Sequence, residues 1–583
     1  MNSISVSGKN WISKEFSSED VKFYKTNFFL DEIVAKLLSI RKIKKSEIKF
    51  YLEPSIKSIL PNPYILKDMD KAIARTENAI INIEKIGIFG DYDVDGATST
   101  AILGKYFELL NIPFEIYIPD RQKEGFGPNE KAFLEFINLG VNLIFTVDCG
   151  TLSFEPMEFA KKKEIDVIIL DHHQSEIKLP TAHSIVNPNR FDDRSELNYL
   201  CAAGVCFMFL VALNKRLRDQ NWFSKNSIKE PNLMNILDLV SLGTVCDVVP
   251  LIGINRAFVK QGLKILKKKN NLGLKTLIEV CNIEKTITAH DLGYALGPRI
   301  NAGGRVGKST HGANLLLNQS PKDAFKLAAD LNTYNEERKI LETELLNKIL
   351  NTDYKNSTDP VIILHGENWH EGVIGIIASR LKDKFNKPTI IISVNDNIGK
   401  GSGRSIHGFD LGSVIIAAVQ CGLLSKGGGH KMAAGFSINI NKIKEFKEFV
   451  FRKFRSININ LEEKKNYYYD AEIAPSAVNL EFFEKINLLA PFGSGNPEPR
   501  FVIKDLKLVN SKIIAEKHIK IILIGSDSTS LKAISFNSVE TQLGSHLLKK
   551  NIKLFDIAGK LSLNEWRGQR NVEFIIDDIS VIK

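Results

Sequence analysis

Short apolar runs separated by amphipathic stretches organise the middle of the chain. Residues 85–90 (KIGIFG), 114–118, 143–147 (LIFTV) and 167–170 (VIIL) read as strands, with helical segments between them at 98–110 and 129–139. Strands and helices in alternation predict a parallel sheet covered on both faces. A long apolar helix is expected at 233–244. The charged stretch 321–350 keeps helical periodicity without Gly or Pro after its start, and predicts a connecting helix. A second α/β unit begins at 361–364 and runs to Phe454, with Gly-rich loops expected at 401–404 and 427–429. Beyond Lys465 short strands at 501–503, 519–524, 552–561 and 572–576 alternate with polar turns, the pattern of a small barrel or sandwich. The first 75 residues read as polar and mostly helical, with a basic run at 41–49. The fold class is therefore α/β. Five parts are expected: 1–75, an N-terminal helical region; 76–250, a parallel-sheet domain; 251–350, a helical region ending in the connecting helix; 351–460, a second α/β domain; and 465–583, a β-barrel.

Composition changes this picture little. With 583 residues, 44% apolar and 25% charged, the chain is ordinary globular protein, not a disordered chain, a collagen or a mini-protein. Lys and Arg outnumber Asp and Glu by 78 to 68, a formal charge of +10. That permits a polyanionic partner without requiring one, and a Lys-, Ile- and Asn-rich composition would give the same excess by drift. Six cysteines (Cys149, Cys201, Cys206, Cys246, Cys281, Cys421) form no C-x-x-C pair. No disulfide framework is expected, and a reducing cytoplasm is the expected location. The polar start (MNSISVSGKNWISKEF) lacks a signal peptide's apolar region, and no run of about 18 apolar residues predicts a membrane helix.

Acidic motifs supply the candidate chemistry. In GDYDVDG (90–96), Asp91, Asp93 and Asp95 alternate directly after a strand, and would all project to one side if the strand continued. Three clustered carboxylates resist ionisation unless a cation neutralises them. An EF-hand loop is excluded because its twelfth position would be Ile102, which cannot ligate calcium. Asp148 of VDCG ends the 143–147 strand, and Asp171, His172 and His173 (DHH) follow the 167–170 strand. All three motifs lie at strand carboxyl ends, the ligand-binding edge of an open parallel sheet. Adjacent histidines are expected to divide roles, one binding metal and the other facing substrate or packing. Asp247 of SLGTVCDVVPL follows an apolar helix, where an ionised carboxylate needs a partner; a plain capping role is the competing reading. Two decoys fail. AGGRVGKS (302–309) approximates a phosphate-binding loop but follows Gly297-Pro298-Arg299, which breaks a central strand. His370-Glu371 would need a second His where Ile374 stands to form a zinc-protease helix.

GDYDVDG, TVDCG, LDHH and LGTVCDVVPL, in that order, resemble the DHH phosphoesterase superfamily. GPRINAGGR (297–305), WHEGVIGIIASRL (369–381), GSGRS (401–405), GGGHKMAAGF (427–436) and PFGSGNPEP (491–499) narrow the resemblance to its RecJ-type single-stranded-DNA exonucleases. The resemblance covers residues 50–580. It implies a DHH domain, a DHHA1 domain closing over substrate, and a C-terminal OB-fold. It also implies two divalent ions, Mn²⁺ or Mg²⁺, on Asp91, Asp93, Asp95, Asp148, His172 and Asp247, with His173 beside them. Asp93, Asp95, His172 and His173 would be the catalytic group. Two such ions can activate water and steady an in-line displacement at phosphorus, so no protein nucleophile is expected. Arg121, Phe126, Arg305, Ser402, Arg404 and His430 would bind substrate. Phe126 stands where the family usually has Tyr, a change that keeps base stacking and loses a hydroxyl. Trp566, Arg567 and Arg570 in a hairpin turn are candidates for strand binding by the barrel, against the plain reading of a hairpin tip.

The implied function is metal-dependent 5′→3′ hydrolysis of single-stranded DNA to 5′-mononucleotides in repair and recombination, by a monomer without membrane association. A single-stranded-DNA-binding protein is a family-level partner expectation. A hydrolase for short RNA or cyclic dinucleotides would be shorter and lack the barrel; an inactive scaffold would have lost motifs that are intact here.

Overall fold

A computed structural model of the chain describes residues 5–121, 123–351, 359–457, 466–549, 554–566 and 568–582, apart from the side chain of Trp566. Five parallel strands form its first sheet, in the spatial order Phe114–Tyr117, Ile86–Gly90, Leu143–Val147, Asp166–Leu170, Ser184–Val186. Alternate residues serve two cores. Ile86, Ile88, Leu143, Phe145, Ile168 and Leu170 face the core built on helix Val94–Leu109; Phe89, Ile144, Val167 and Ile169 pack with Phe133, Phe136 and Met157 on the other face. Burial on both faces explains why these strands read as continuous apolar runs. The strand that comes first in the chain lies between the second and third, so the sheet changes winding direction between Ile86–Gly90 and Leu143–Val147. A crevice opens at the carboxyl ends of strands at such a switch point.

The first core does not stop at residue 250. It runs from Ile56 to Leu331 and takes in helices Gly253–Leu266, Leu272–Val280 and Gly297–Val306. Residue 75 likewise falls inside helix Met69–Ile81, which packs on this core. Helix Pro321–Leu350 matches its predicted span. Ser320 caps it by accepting from the Asp323 N–H, and Pro321 opens it. Its first turns bury Ala324, Ala328 and Leu331 in the first core, and its last turns bury Leu345 and Ile349 against Val373 and Ile377 of the second α/β domain. It thus spans both domains as one element.

The second sheet runs Lys426–His430, Ala433–Asn439, Ile398–Arg404, Thr389–Asn395, Ile362–Glu367, parallel only in its last pair. The Gly-rich segments expected to be loops are therefore strands. Their glycines make room within the sheet: a Cβ on Gly401 would lie 2.1 Å from the Phe436 ring.

Five C-terminal strands close into a barrel. Phe501–Ile514 pairs with His518–Ile524, then Ser530–Ser535, then Gln569–Ile582, then Leu554–Trp566, which returns to Phe501–Ile514. Strict alternation along His518–Ile524 puts Ile519, Ile521 and Leu523 inside. The N-terminal residues belong to this module rather than to a separate region. Asn10–Ser13 pairs with Asn466–Tyr469, Ser7 Oγ and Trp11 Nε1 donate to Asp578, and Tyr24, Val34, Leu37 and Leu38 join the barrel's core. Among the described residues, no helix is long and apolar enough to cross a membrane.

Candidate active site

Asp91, Asp93 and Asp95 do not continue a strand. The strand ends at Gly90 and a helix starts at Val94, because the Asp93 carboxylate accepts the Gly96 N–H at 3.0 Å and caps the helix. The turn is tight: a Cβ on Gly96 would lie 2.4 Å from the Asp91 carbonyl oxygen. Asp95 falls in the first helical turn and points at the N-terminus of helix Ala202–Asp219, accepting from the Ala202 and Ala203 N–H groups at 2.6 and 2.9 Å. Asp148 follows the neighbouring strand in the left-handed region, with φ of 60°. Such a backbone costs energy and is held by its surroundings, here by the Asp148 N–H donating to Leu170 O. Asp247 follows helix Leu237–Cys246 as its C-cap residue, with its backbone N–H donating to Gly243 O and its carboxylate turned toward His172.

These residues converge. His172 Nε2 lies 3.2 Å from Asp148 Oδ1, 3.6 Å from Asp247 Oδ2 and 3.8 Å from Asp95 Oδ2. Ligand atoms within 4.8 Å of one another form three overlapping groups: Asp91, Asp93 and Asp148; Asp95, His172 and Asp247; Asp148, His172 and His173. Four buried atoms facing this centre make no hydrogen bond: Asp91 Oδ1, Asp148 Oδ1, Asp247 Oδ2 and His172 Nε2. Buried polar atoms are normally paired, so a cluster of four calls for a ligand. Burial, then the neighbouring carboxylates, push Asp91 and Asp148 well above the usual carboxylate range, Asp95 to about 7 and Asp247 to about 9. Burial, then His173, lower His172 to about 4, which leaves its Nε2 lone pair free to ligate. Mixed carboxylate and imidazole donors around one hollow fit divalent cations, and imidazole favours Mn²⁺.

The two histidines differ in their surroundings. His173 Nδ1 lies 2.8 Å from Asp171 Oδ1. Burial opposes a charge on His173, but Asp171 overrides it and raises the imidazole to about 9. Asp171 is itself buried. His173 and the N–H groups of Thr151, His172 and His173 hold it ionised against that burial. Asn187 donates to His173 O and Thr151 Oγ1, and Asn189 to His172 O, which fixes the backbone of both histidines.

A cationic, aromatic wall flanks the centre. The Arg121 guanidinium lies 5.1 Å from the Tyr92 ring centroid. Phe126, 58% exposed, stands edge-on between Tyr92 and His173, at 6.5 and 5.8 Å. Arg305 donates to Gly372 O. Burial, then Arg121, Arg338 and Arg404, lower it to about 10. Arg404 donates to Ser402 Oγ and Gly403 O, and is lowered by burial and by Arg121. His430 is exposed on the second sheet, close enough to His172 and His173 for their charges to couple. The second domain thus faces the first across the metal hollow. At the barrel, Arg570 is paired with Glu484 and Glu565, while Arg567 and the Trp566 side chain lie outside the described residues. The 302–309 segment is the end of helix Gly297–Val306 and the turn after it, preceded by helix rather than strand, and His370 caps helix Glu371–Phe385.

Comparison with known proteins agrees with this geometry. Family models match the DHH family N-terminal domain over residues 85–244, the DHHA1 domain over 358–456 and the RecJ OB domain over 469–578. The single-stranded-DNA-specific exonuclease RecJ of Escherichia coli is 34% identical over 94% of this chain and 96% of its own length; that of Dickeya dadantii is 34% identical over 91% and 93%. The chain belongs to the RecJ family. The structure of RecJ from Thermus thermophilus in complex with Mn²⁺ matches 98% of this chain and 79% of its own, with a TM-score of 0.80 at 27% identity. A further structure, of exonuclease RecJ bound to manganese, matches 67% of this chain and 95% of its own, with a TM-score of 0.57 at 32% identity.

Within this RecJ-family fold, the six residues expected to hold metal come together, as do Arg121, Phe126, Arg305, Ser402, Arg404 and His430 around them. Sequence reasoning named Asp171 at its strand end without giving it a role of its own, and passed over Thr151, Asn187, Asn189 and Tyr92. Asp171 stood inside a quoted motif, and its position at a strand end was a usable signal. Nothing in the spacing of Asn187 and Asn189 marked them.

Proposed function

We infer that this protein is a metal-dependent 5′→3′ exonuclease that hydrolyses single-stranded DNA to 5′-mononucleotides in repair and recombination. The observation that carries this reading is the facing of two opposite charge clusters. Six acidic and imidazole ligands lie at one sheet's carboxyl edge, and Arg121, Arg305 and Arg404 crowd beside them. The buried carboxylates call for cations, and the mutual repulsion of the three arginines favours an anion beside them. A phosphodiester backbone with divalent ions between satisfies both.

Asp91, Asp93, Asp95, Asp148, His172 and Asp247 would hold two divalent ions, Mn²⁺ or Mg²⁺, which supply an activated water and neutralise charge at phosphorus. His173, held protonated by Asp171, presents its Nε2–H to a phosphoryl oxygen or to the departing 3′ oxygen. Arg305 and Arg404 offer planar forks suited to phosphate, with Ser402 Oγ beside them. Phe126 offers an exposed face on which a base can stack. The domains close over a cleft that admits one strand. We place the enzyme in the cytoplasm as a monomer that can act with a single-stranded-DNA-binding protein.

Digestion of 5′- and 3′-labelled oligonucleotides with Mn²⁺, Mg²⁺ or chelator tests this reading. Mononucleotides released first from the 5′ label, and only with metal, support it. Release from the 3′ end, equal digestion of blunt duplex, or activity in chelator overturns it.

A further inference from the structure

The motif PFGSGNPEP, residues 491–499, lies on the barrel side of the molecule and touches no ligand of the metal hollow. Its contacts nevertheless converge just past Asp247. The Leu251 N–H donates to Ser494 O at 2.8 Å. The Leu251 side chain is buried with Val259 and Ala289, and a Cβ on Gly493 would come within 2.8 Å of it. Gly495, with φ of 68°, lies over Pro250, where a Cβ would approach to 3.0 Å. From the core side, Asn255 Nδ2 donates to Pro250 O at 3.1 Å.

This grip matters because the Asp247 N–H is held by Gly243 O at 2.9 Å, whereas its Oδ2 makes no hydrogen bond. Asp247 is the cap residue just after its helix, and the next, Val248, is exposed with φ of 60°. Where the chain goes after Val248 therefore decides where the Asp247 carboxylate points. The loop that fixes this path is itself braced. Asn496, 1% exposed, donates to Leu489 O and Pro491 O and accepts from Tyr51 Oη and Arg41 Nε. Arg256, 2% exposed, donates to Ala490 O, Pro491 O and Tyr51 O, with its guanidinium 3.9 Å from the Tyr51 ring centroid. Arg256 sits on helix Gly253–Leu266, which begins two residues after Leu251.

We propose that the 491–499 loop, braced by Asn496 and Arg256, is a positioning element for the metal centre: it fixes the backbone after Asp247 and so aims that carboxylate at the metal. The proposal rests on Asp247 being a metal ligand, as in the function inferred above. Residues that orient a ligand commonly tune metal affinity as strongly as a ligand's own contacts do.

The test is calorimetric titration of the full chain with Mn²⁺ alone, without DNA. Asn496→Ala removes the four side-chain hydrogen bonds of Asn496 and is expected to weaken Mn²⁺ binding by about tenfold or more. Turnover should recover at raised Mn²⁺, and single-stranded-DNA affinity in chelator should stay at the wild-type value. Gly493→Ala pushes directly on Leu251 while keeping the Asn496 network, and should give the same signature if Asn496→Ala fails to fold. Variants that melt like the wild type and bind Mn²⁺ as tightly overturn the positioning role alone. Loss of DNA affinity with unchanged Mn²⁺ binding also overturns it, and assigns the loop to the DNA track. A wild-type chain that binds no Mn²⁺ overturns both this proposal and the function on which it rests.

Discussion

Asp171 holds His173: their Oδ1 and Nδ1 atoms lie 2.8 Å apart, and the pairing keeps the imidazole charged although it is largely buried. Asp171→Asn would leave the shape of the strand end intact while withdrawing that charge. Turnover should fall by about 10²- to 10⁴-fold, the usual range for a lost proton donor. Mn²⁺ affinity should change far less, because Asp171 belongs to none of the candidate ligand groups. Steady-state rates beside Mn²⁺ titrations check this; equal loss of both would make Asp171 part of the metal site.

Phe126 should matter by its face, not by any hydroxyl. Phe126→Ala should raise KM by the worth of one stacked base, about 1–3 kcal/mol, with little change in kcat. Phe126→Tyr should be near neutral. A large gain from Tyr would show that the missing hydroxyl had been limiting.

Arg404 is a functional charge placed at a cost to the fold. It is half-buried near Arg121 and Arg305, and pairs with no carboxylate among the described residues. Arg404→Ala should leave Tm unchanged or raised, since repulsion is relieved, while KM rises and the salt dependence of DNA binding falls by about one unit of slope. A fall in Tm together with unchanged KM would make Arg404 structural.

The metal-free protein should lose stability as pH rises. Asp95 and Asp247 have folded values of about 7 and 9, raised first by burial and then by neighbouring carboxylates. A carboxyl group raised in the folded state binds its proton more tightly there than in the unfolded chain. Its contribution is full below the unfolded value and is lost as pH climbs through the folded one. The apoprotein should therefore melt lower at pH 9 than at pH 5, and saturating Mn²⁺ should stabilise it more at the higher pH. Thermal melts across that range check it; a metal effect independent of pH would contradict it.

The middle of the central sheet was legible because Ile86–Gly90, Leu143–Val147 and Asp166–Leu170 are buried on both faces and appear as apolar runs ending at acidic motifs, whereas the short edge strand Ser184–Val186 carried no such signal. The convergence of the candidate ligands was legible for the same reason: Asp91, Asp148 and His172 follow strand ends, and parallel strands end together. Three features were not. Alternation of Asp91, Asp93 and Asp95 matched a strand, but local capping by Asp93 outweighed that pattern and started a helix. Glycines at 401–404 and 427–429 signalled loops, yet both segments are strands, where Gly401 makes room for the Phe436 ring and Gly403 for Leu411, contacts no local pattern carries. The N-terminal residues read as a helical region of their own, whereas Tyr24, Val34 and Leu37 complete a barrel more than 400 residues away in sequence.

The most direct test of the account compares wild type with Asp93→Ala on a 5′-labelled single strand. Mn²⁺-dependent turnover and DNA affinity are measured on the same preparations. The account predicts that turnover is lost while affinity for single-stranded DNA is largely retained, since Arg121, Arg305, Arg404 and Phe126 are untouched. Turnover that survives Asp93→Ala would contradict it.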